Sequence, residues 1–215
     1  MASVALAVGL LTPAVGQPVA SANPECKPTF TFGVGGFTVD TTQFPPDLGQ
    51  PSLYIPSDQP VGYNSLDITD GVRELDRLFN AYRSRCPSSH IKILGHSGGA
   101  AVVHVWVSQN KHTTNVTAIL AADPKRPAGP GGPGLAGHLL AAPADWLGFF
   151  RGASGTDADF GNVPVLTICN DGDWVCNINA GAWGYATTHV HGNYDLNPWN
   201  YPNFVSGQWY RPIYE

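Results

Sequence analysis

Ile91-Lys92-Ile93-Leu94-Gly95-His96-Ser97-Gly98-Gly99-Ala100-Ala101 is the stretch that decides the fold. A short apolar run ends at Gly95, and one serine follows with Gly95 and Gly99 two residues to either side. Ala100, Ala101, Val102, Val103 and Val105 then continue with helical character. Strand, G-x-S-x-G and helix in that order imply a very sharp turn, in which the residues flanking Ser97 pass close to neighbouring backbone. Glycine permits that approach because it has no Cβ. The turn lifts the serine out at the carboxyl edge of a sheet. The N–H of Gly98, at the helix start, points to the same place and offers half of an oxyanion hole. An idle serine in a Gly-rich turn is the competing reading, because five-residue patterns recur by chance.

Upstream, residues 29–32 are β-branched and aromatic and read as the first strand. Gly33-Val34-Gly35-Gly36 follows, and its exposed backbone N–H groups are candidates for the other half of the oxyanion hole. Residues 38–62 are Pro-rich, with one candidate strand at 53–55. Residues 65–85 form the clearest helix. Ile68, Val72, Leu75, Phe79 and Tyr82 recur at three- and four-residue steps, Ser65 or Asp67 is the cap, and Cys86-Pro87 ends it. The nucleophile strand begins near His90, and the helix after Ser97 runs to about Gln109.

Downstream, residues 116–121 and 163–168 read as buried strands. Between them, 125–162 carries a Gly/Pro run and then the apolar stretch 135–150, which is expected either to cover the active site or to pack as a surface helix. The aromatic tail from 197 onward has no helical period and is expected to cross the surface as an ordered strap. Strands interleaved with helices imply a three-layer α/β/α sandwich with a central, mostly parallel sheet.

The chain has 215 residues, long enough for one domain with a sizeable core. It carries 13% charged residues, only 11 Lys+Arg and a net charge of −5, and shows no basic patch, which argues against a nucleic-acid partner. Residues 1–22 are expected to be an export signal. Their apolar run, Val4 to Leu11, is too short to span a bilayer and is followed by the small-x-small site Ala20-Ser21-Ala22, although no Lys or Arg precedes the run. A single domain is expected over 23–215.

The four cysteines, Cys26, Cys86, Cys169 and Cys176, suggest two disulfides in an exported chain. Three connectivities are open; in one of them Cys169 and Cys176, close in sequence, staple one loop and leave Cys26 with Cys86. Without a paired C-x-x-C, a metal site is the weaker reading.

A serine nucleophile needs a base, and the base needs an orienting acid. In α/β-hydrolases the order along the chain is serine, acid, histidine. Asp123, Asp171 and Asp173 are the candidate acids, and His189 and His191 the candidate bases. The two histidines also read as a metal pair, but no third ligand is evident.

At these residues the sequence resembles the cutinase family of secreted serine esterases. Four matches carry the resemblance: Cys86-Pro87 with the strand and nucleophile block, Cys169-Asn170-Asp171-Gly172-Asp173-Trp174-Val175-Cys176, His191-Gly192-Asn193-Tyr194, and the long Cys26/Cys86 pairing. The resemblance implies an α/β-hydrolase fold with a five-stranded sheet. It implies Ser97 as nucleophile, Asp173 as acid and His191 as base, with oxyanion donors at Gly98 and near Gly36 or Gly35. It further implies a lipid or ester substrate, no cofactor or metal, a secreted chain without a stable membrane span, and a monomer. The stretch 125–162 and the tail depart from the family pattern. Acyl transfer to an alcohol with the same triad, and a catalytically silent binding module, are the alternatives.

Overall fold

The computed structural model describes residues 26–129, 131–137, 152, 159–182, 189–203 and 208–212. Along the chain these form β1 Thr29–Val34, β2 Val39–Asp40, β3 Asp47–Leu48, β4 Gln59–Pro60, α1 Ile68–Arg85, β5 His90–His96, α2 Gly98–Gln109, β6 Val116–Ala121, β7 Val165–Cys169 and β8 Gln208–Pro212. The main sheet runs β4-β1-β5-β6-β7-β8, and every neighbouring pair in it is parallel. Five of its strands have five residues or more, and β4 adds a two-residue edge. The fold is the expected α/β architecture. β2 and β3 pair antiparallel as a separate ribbon.

Side chains alternate across the sheet because successive Cβ atoms of a strand point to opposite faces. Ile91, Ile93, Ala118, Leu120 and Val165 face the core beneath α1 and α2. Leu94, Ile119, Ala121, Leu166 and Ile168 face the other side, where Ile55, Tyr194, Leu196 and Tyr201 cover them. α1 buries Ile68, Val72, Leu75, Phe79 and Tyr82, the five positions its periodicity selects. Each such side chain contributes about 1.5–3 kcal/mol on leaving water. Asp67 is the N-cap, accepting the Asp70 N–H at 3.0 Å.

The stretch 53–55 is not a strand. Pro51 and Pro56 bracket it, and the edge pairing falls instead on Gln59–Pro60, where a proline without an N–H is tolerated. The tail is tied down by polar bonds. Lys92 Nζ donates to the carbonyls of Pro198 and Tyr201, and Thr117 Oγ1 donates to the Asn203 carbonyl. Beyond these, the chain adds β8 beside β7.

Disulfides join Cys26 to Cys86 and Cys169 to Cys176. Among the described residues no helix is long and apolar enough to cross a membrane. The expected export segment 1–22 lies outside the described residues, as do most of the apolar stretch 135–150 and the end of the tail.

Candidate active site

β5 delivers Ser97 to the carboxyl edge of the sheet, between β1 and β6. Ser97 has φ 58° and ψ −124°, a conformation that costs a residue with a Cβ roughly 1–3 kcal/mol. Close contacts hold it there. A Cβ on Gly95 would overlap the Gly99 carbonyl, and one on Gly99 would overlap the Val34 carbonyl. These two glycines therefore let β1, β5 and the start of α2 meet. A Cβ on Gly36 would lie 2.7 Å from Ser97 Cβ, so the turn after β1 is pressed directly onto the serine.

Ser97 Oγ lies 3.0 Å from His191 Nε2. His191 sits in the short turn Val190–Gly192, and its Nδ1 lies 2.9 Å and 3.1 Å from the two carboxylate oxygens of Asp173. Asp173 is fully buried in the loop closed by Cys169 and Cys176. Its carboxylate also accepts the Tyr194 hydroxyl at 2.7 Å and the Val175 N–H at 3.0 Å. A hydroxyl, an imidazole and a carboxylate thus stand in series, each within hydrogen-bond distance of the next. Such a series can move a proton from the serine to the imidazole while the carboxylate fixes the ring's tautomer.

Two residues weld the acid loop to the histidine loop. Asn170 Nδ2 donates to the carbonyls of Val190 and Asn193, and its backbone N–H donates to Tyr194 Oη at 2.8 Å. The Gly/Pro stretch braces the acid loop from outside. Arg126 Nε donates to the Cys176 carbonyl at 2.8 Å, and the Gly132 N–H donates to Asn177 Oδ1 at 2.7 Å.

The other candidates fall elsewhere. Asp123 bonds His104 Nδ1 at 2.7 Å, and both side chains are buried. Asp171 is exposed, and its carbonyl accepts from Asn177 Nδ2. His189 is exposed at the head of the His191 turn, with no described bond to Ser97 or Asp173.

Gly98 begins α2, so its N–H has no partner within the helix. The Gly36 N–H is donated to the Tyr54 hydroxyl at 2.8 Å rather than presented to the serine. The nitrogen of the following Gly36–Phe37 peptide lies 3.7 Å from where a Cβ on Gly98 would sit.

Reading the sequence left His96 and Tyr54 without a role. His96 fills the variable position of the pentapeptide, and nothing local marks Tyr54. The structure joins them, with Tyr54 Oη 2.7 Å from His96 Nδ1. Burial, with a smaller contribution from the neighbouring His191, pushes the His96 pKa down to about 4.

The family model for cutinase matches residues 53–208, most of the chain, including Cys86, Ser97, the Cys169–Cys176 loop and His191. The chain belongs to the cutinase family. Gly36 and Cys26 lie outside the matched residues of this cutinase-family chain. Among solved structures it is similar to a novel cutinase-like protein from Cryptococcus sp., at 15% identity and a TM-score of 0.45, over 80% of this chain and 98% of that one. None of the curated proteins compared matches it.

Proposed function

We propose that the chain is a secreted serine esterase that hydrolyses carboxylic esters through an acyl-enzyme on Ser97. Family membership supports an esterase-like hydrolase. The observation that carries the finer reading is the unbroken series from Ser97 Oγ through His191 to Asp173, at 3.0 Å and 2.9 Å. Two disulfides fit an oxidising, extracellular setting.

In this reading His191 Nε2 takes the Ser97 proton as Oγ attacks the ester carbonyl carbon. The tetrahedral oxyanion sits between the Gly98 N–H and the Gly36–Phe37 peptide. Each oxyanion donor is worth about 3–4 kcal/mol in such reactions. The C–O bond then breaks, and the alcohol leaves with the proton from His191. Water attacks the acyl-enzyme, giving its proton to His191, and the acid departs as Ser97 regains its hydrogen. Asp173 stays ionised throughout and holds Nδ1–H, so that Nε2 presents its lone pair to the serine. Gly36 keeps a place in the site as the close-packed wall beside Ser97.

Replacing Ser97 by Ala tests the reading. Hydrolysis of p-nitrophenyl butyrate should vanish while the thermal transition is kept. Turnover retained by that variant would take the nucleophile away from Ser97.

A further inference from the structure

No step of acyl transfer uses His96, yet it is only 6% exposed and both its ring nitrogens are engaged. Nε2 lies 2.9 Å from the backbone carbonyl of His191. A carbonyl only accepts, so Nε2 carries the hydrogen. In the neutral ring Nδ1 is then the acceptor, and the 2.7 Å bond with Tyr54 is donated by the hydroxyl. The Tyr54 oxygen in turn accepts the Gly36 N–H at 2.8 Å. The donations run in one direction, from Gly36 to Tyr54 to His96 to the His191 carbonyl. The two ends of this path are the two walls of the site. One is the glycine turn pressed onto Ser97, and the other is the turn whose imidazole bonds Ser97 Oγ.

We propose that His96, extended by Tyr54, is a positioning residue that sets the spacing of these two walls across Ser97. The inference rests on the esterase reading for its catalytic consequence, though not for its geometry. It needs a rigid group with an acceptor at one end and a donor at the other, which is a neutral imidazole in a single tautomer. Burial favours that neutral form, as its lowered pKa reflects. An imidazolium would aim a second N–H at Tyr54 Oη, which already receives the Gly36 N–H, and would break the direction of the path. It would also place a like charge beside His191, whose ring centroid is 4.9 Å away, at the moment His191 holds the serine proton. Neutral His96 does neither.

The test uses His96→Phe, His96→Gln and Tyr54→Phe in the full chain. The readouts are kcat and KM on p-nitrophenyl butyrate, thermal midpoint, and labelling of Ser97 by a fluorophosphonate. His96→Phe keeps a planar ring in the slot but cuts both arms. Its kcat should fall by about tenfold to a hundredfold with KM within about threefold, as expected when attacking groups lose alignment. Gln keeps a donor that reaches the His191 carbonyl, so His96→Gln should recover part of the loss. Tyr54→Phe removes the hydroxyl that pairs the buried Gly36 N–H and His96 Nδ1, so kcat should fall by about threefold to tenfold and the midpoint should drop by a few degrees while the chain still folds. In the double variant Tyr54→Phe should add nothing to His96→Phe, because one path is cut twice.

A folded His96→Phe or Tyr54→Phe with wild-type kcat overturns the bridge, and so do losses that add in full. If His96→Phe does not fold, Tyr54→Phe decides alone. Wild-type protein that labels at Ser97 while the variants keep their rates sinks the bridge and leaves the esterase reading standing. Wild-type protein that does not label at Ser97 sinks both.

Discussion

Asp173 and Asp123 provide a matched pair of perturbations. Both are fully buried. Each accepts an N–H from the residue two positions on, Asp173 from Val175 at 3.0 Å and Asp123 from Lys125 at 2.9 Å. Each holds an imidazole Nδ1 through its other oxygen, Asp173 that of His191 at 2.9 Å and Asp123 that of His104 at 2.7 Å. The two sites part at the far ring nitrogen. His191 Nε2 meets Ser97 Oγ, whereas buried His104 Nε2 has no partner among the described residues. Exchanging either Asp for Asn leaves one acceptor oxygen where there were two. Some donor then faces an amide NH₂, at a cost of about 1–3 kcal/mol in either variant.

The catalytic consequence differs. Nδ1 of His191 lies within 3.1 Å of both Asp173 oxygens, so the new NH₂ reaches it in either orientation. The ring is driven to the Nε2–H tautomer, which cannot take the Ser97 proton. Loss of the correct tautomer costs about ten-thousandfold in kcat, roughly 5.5 kcal/mol of barrier. The assay is kcat on p-nitrophenyl butyrate beside denaturant unfolding for both variants. The expected result is similar destabilisation with kcat lost only in Asp173→Asn. Equal loss in Asp123→Asn, or near-normal kcat in Asp173→Asn, would refute the assignment of the acid.

Three further outcomes follow from the packing and charge. Cys26→Ala with Cys86→Ala opens a loop of 60 residues, so unfolding in urea should show a loss of about 4 kcal/mol with kcat preserved, because neither cysteine touches the site. Gly99→Ala drives a Cβ into the Val34 carbonyl, and calorimetry should show destabilisation of more than about 3 kcal/mol together with loss of esterase activity. His96 has a folded pKa of about 4 against about 6.5 in an unfolded chain, so protonation favours unfolding. Its contribution, about 3 kcal/mol, is complete above pH of about 6.5 and is lost as pH falls towards about 4. The thermal midpoint should therefore drop more steeply over that window in wild type than in His96→Phe, and parallel curves would remove the effect.

Local pattern and fixed spacing explain what the sequence made legible. α1 was readable because Ile68, Val72, Leu75, Phe79 and Tyr82 lie on one helical face, and burial of that face is what stabilises it. The parallel sheet was readable because β5, β6 and β7 are short apolar runs with helices α1 and α2 between strands. The edge strand was misplaced to 53–55, since apolar content there outweighed the two flanking prolines. The Gly36 amide was expected beside the oxyanion, and its bond to Tyr54 had no local signal. Tyr54 and His96 stand 42 positions apart, and only the closed sheet brings them together. Asn170 and Arg126 were passed over for the same reason, since their partners are carbonyl oxygens that carry no sequence mark.

The most direct test of the central claim is the mass of the intact chain after incubation with a fluorophosphonate, followed by mapping of the modified peptide. One adduct on the peptide containing Ser97, absent in Ser97→Ala and strongly slowed in His191→Ala, is the expected result. No adduct, or an adduct on another residue at the same rate, would contradict an activated Ser97.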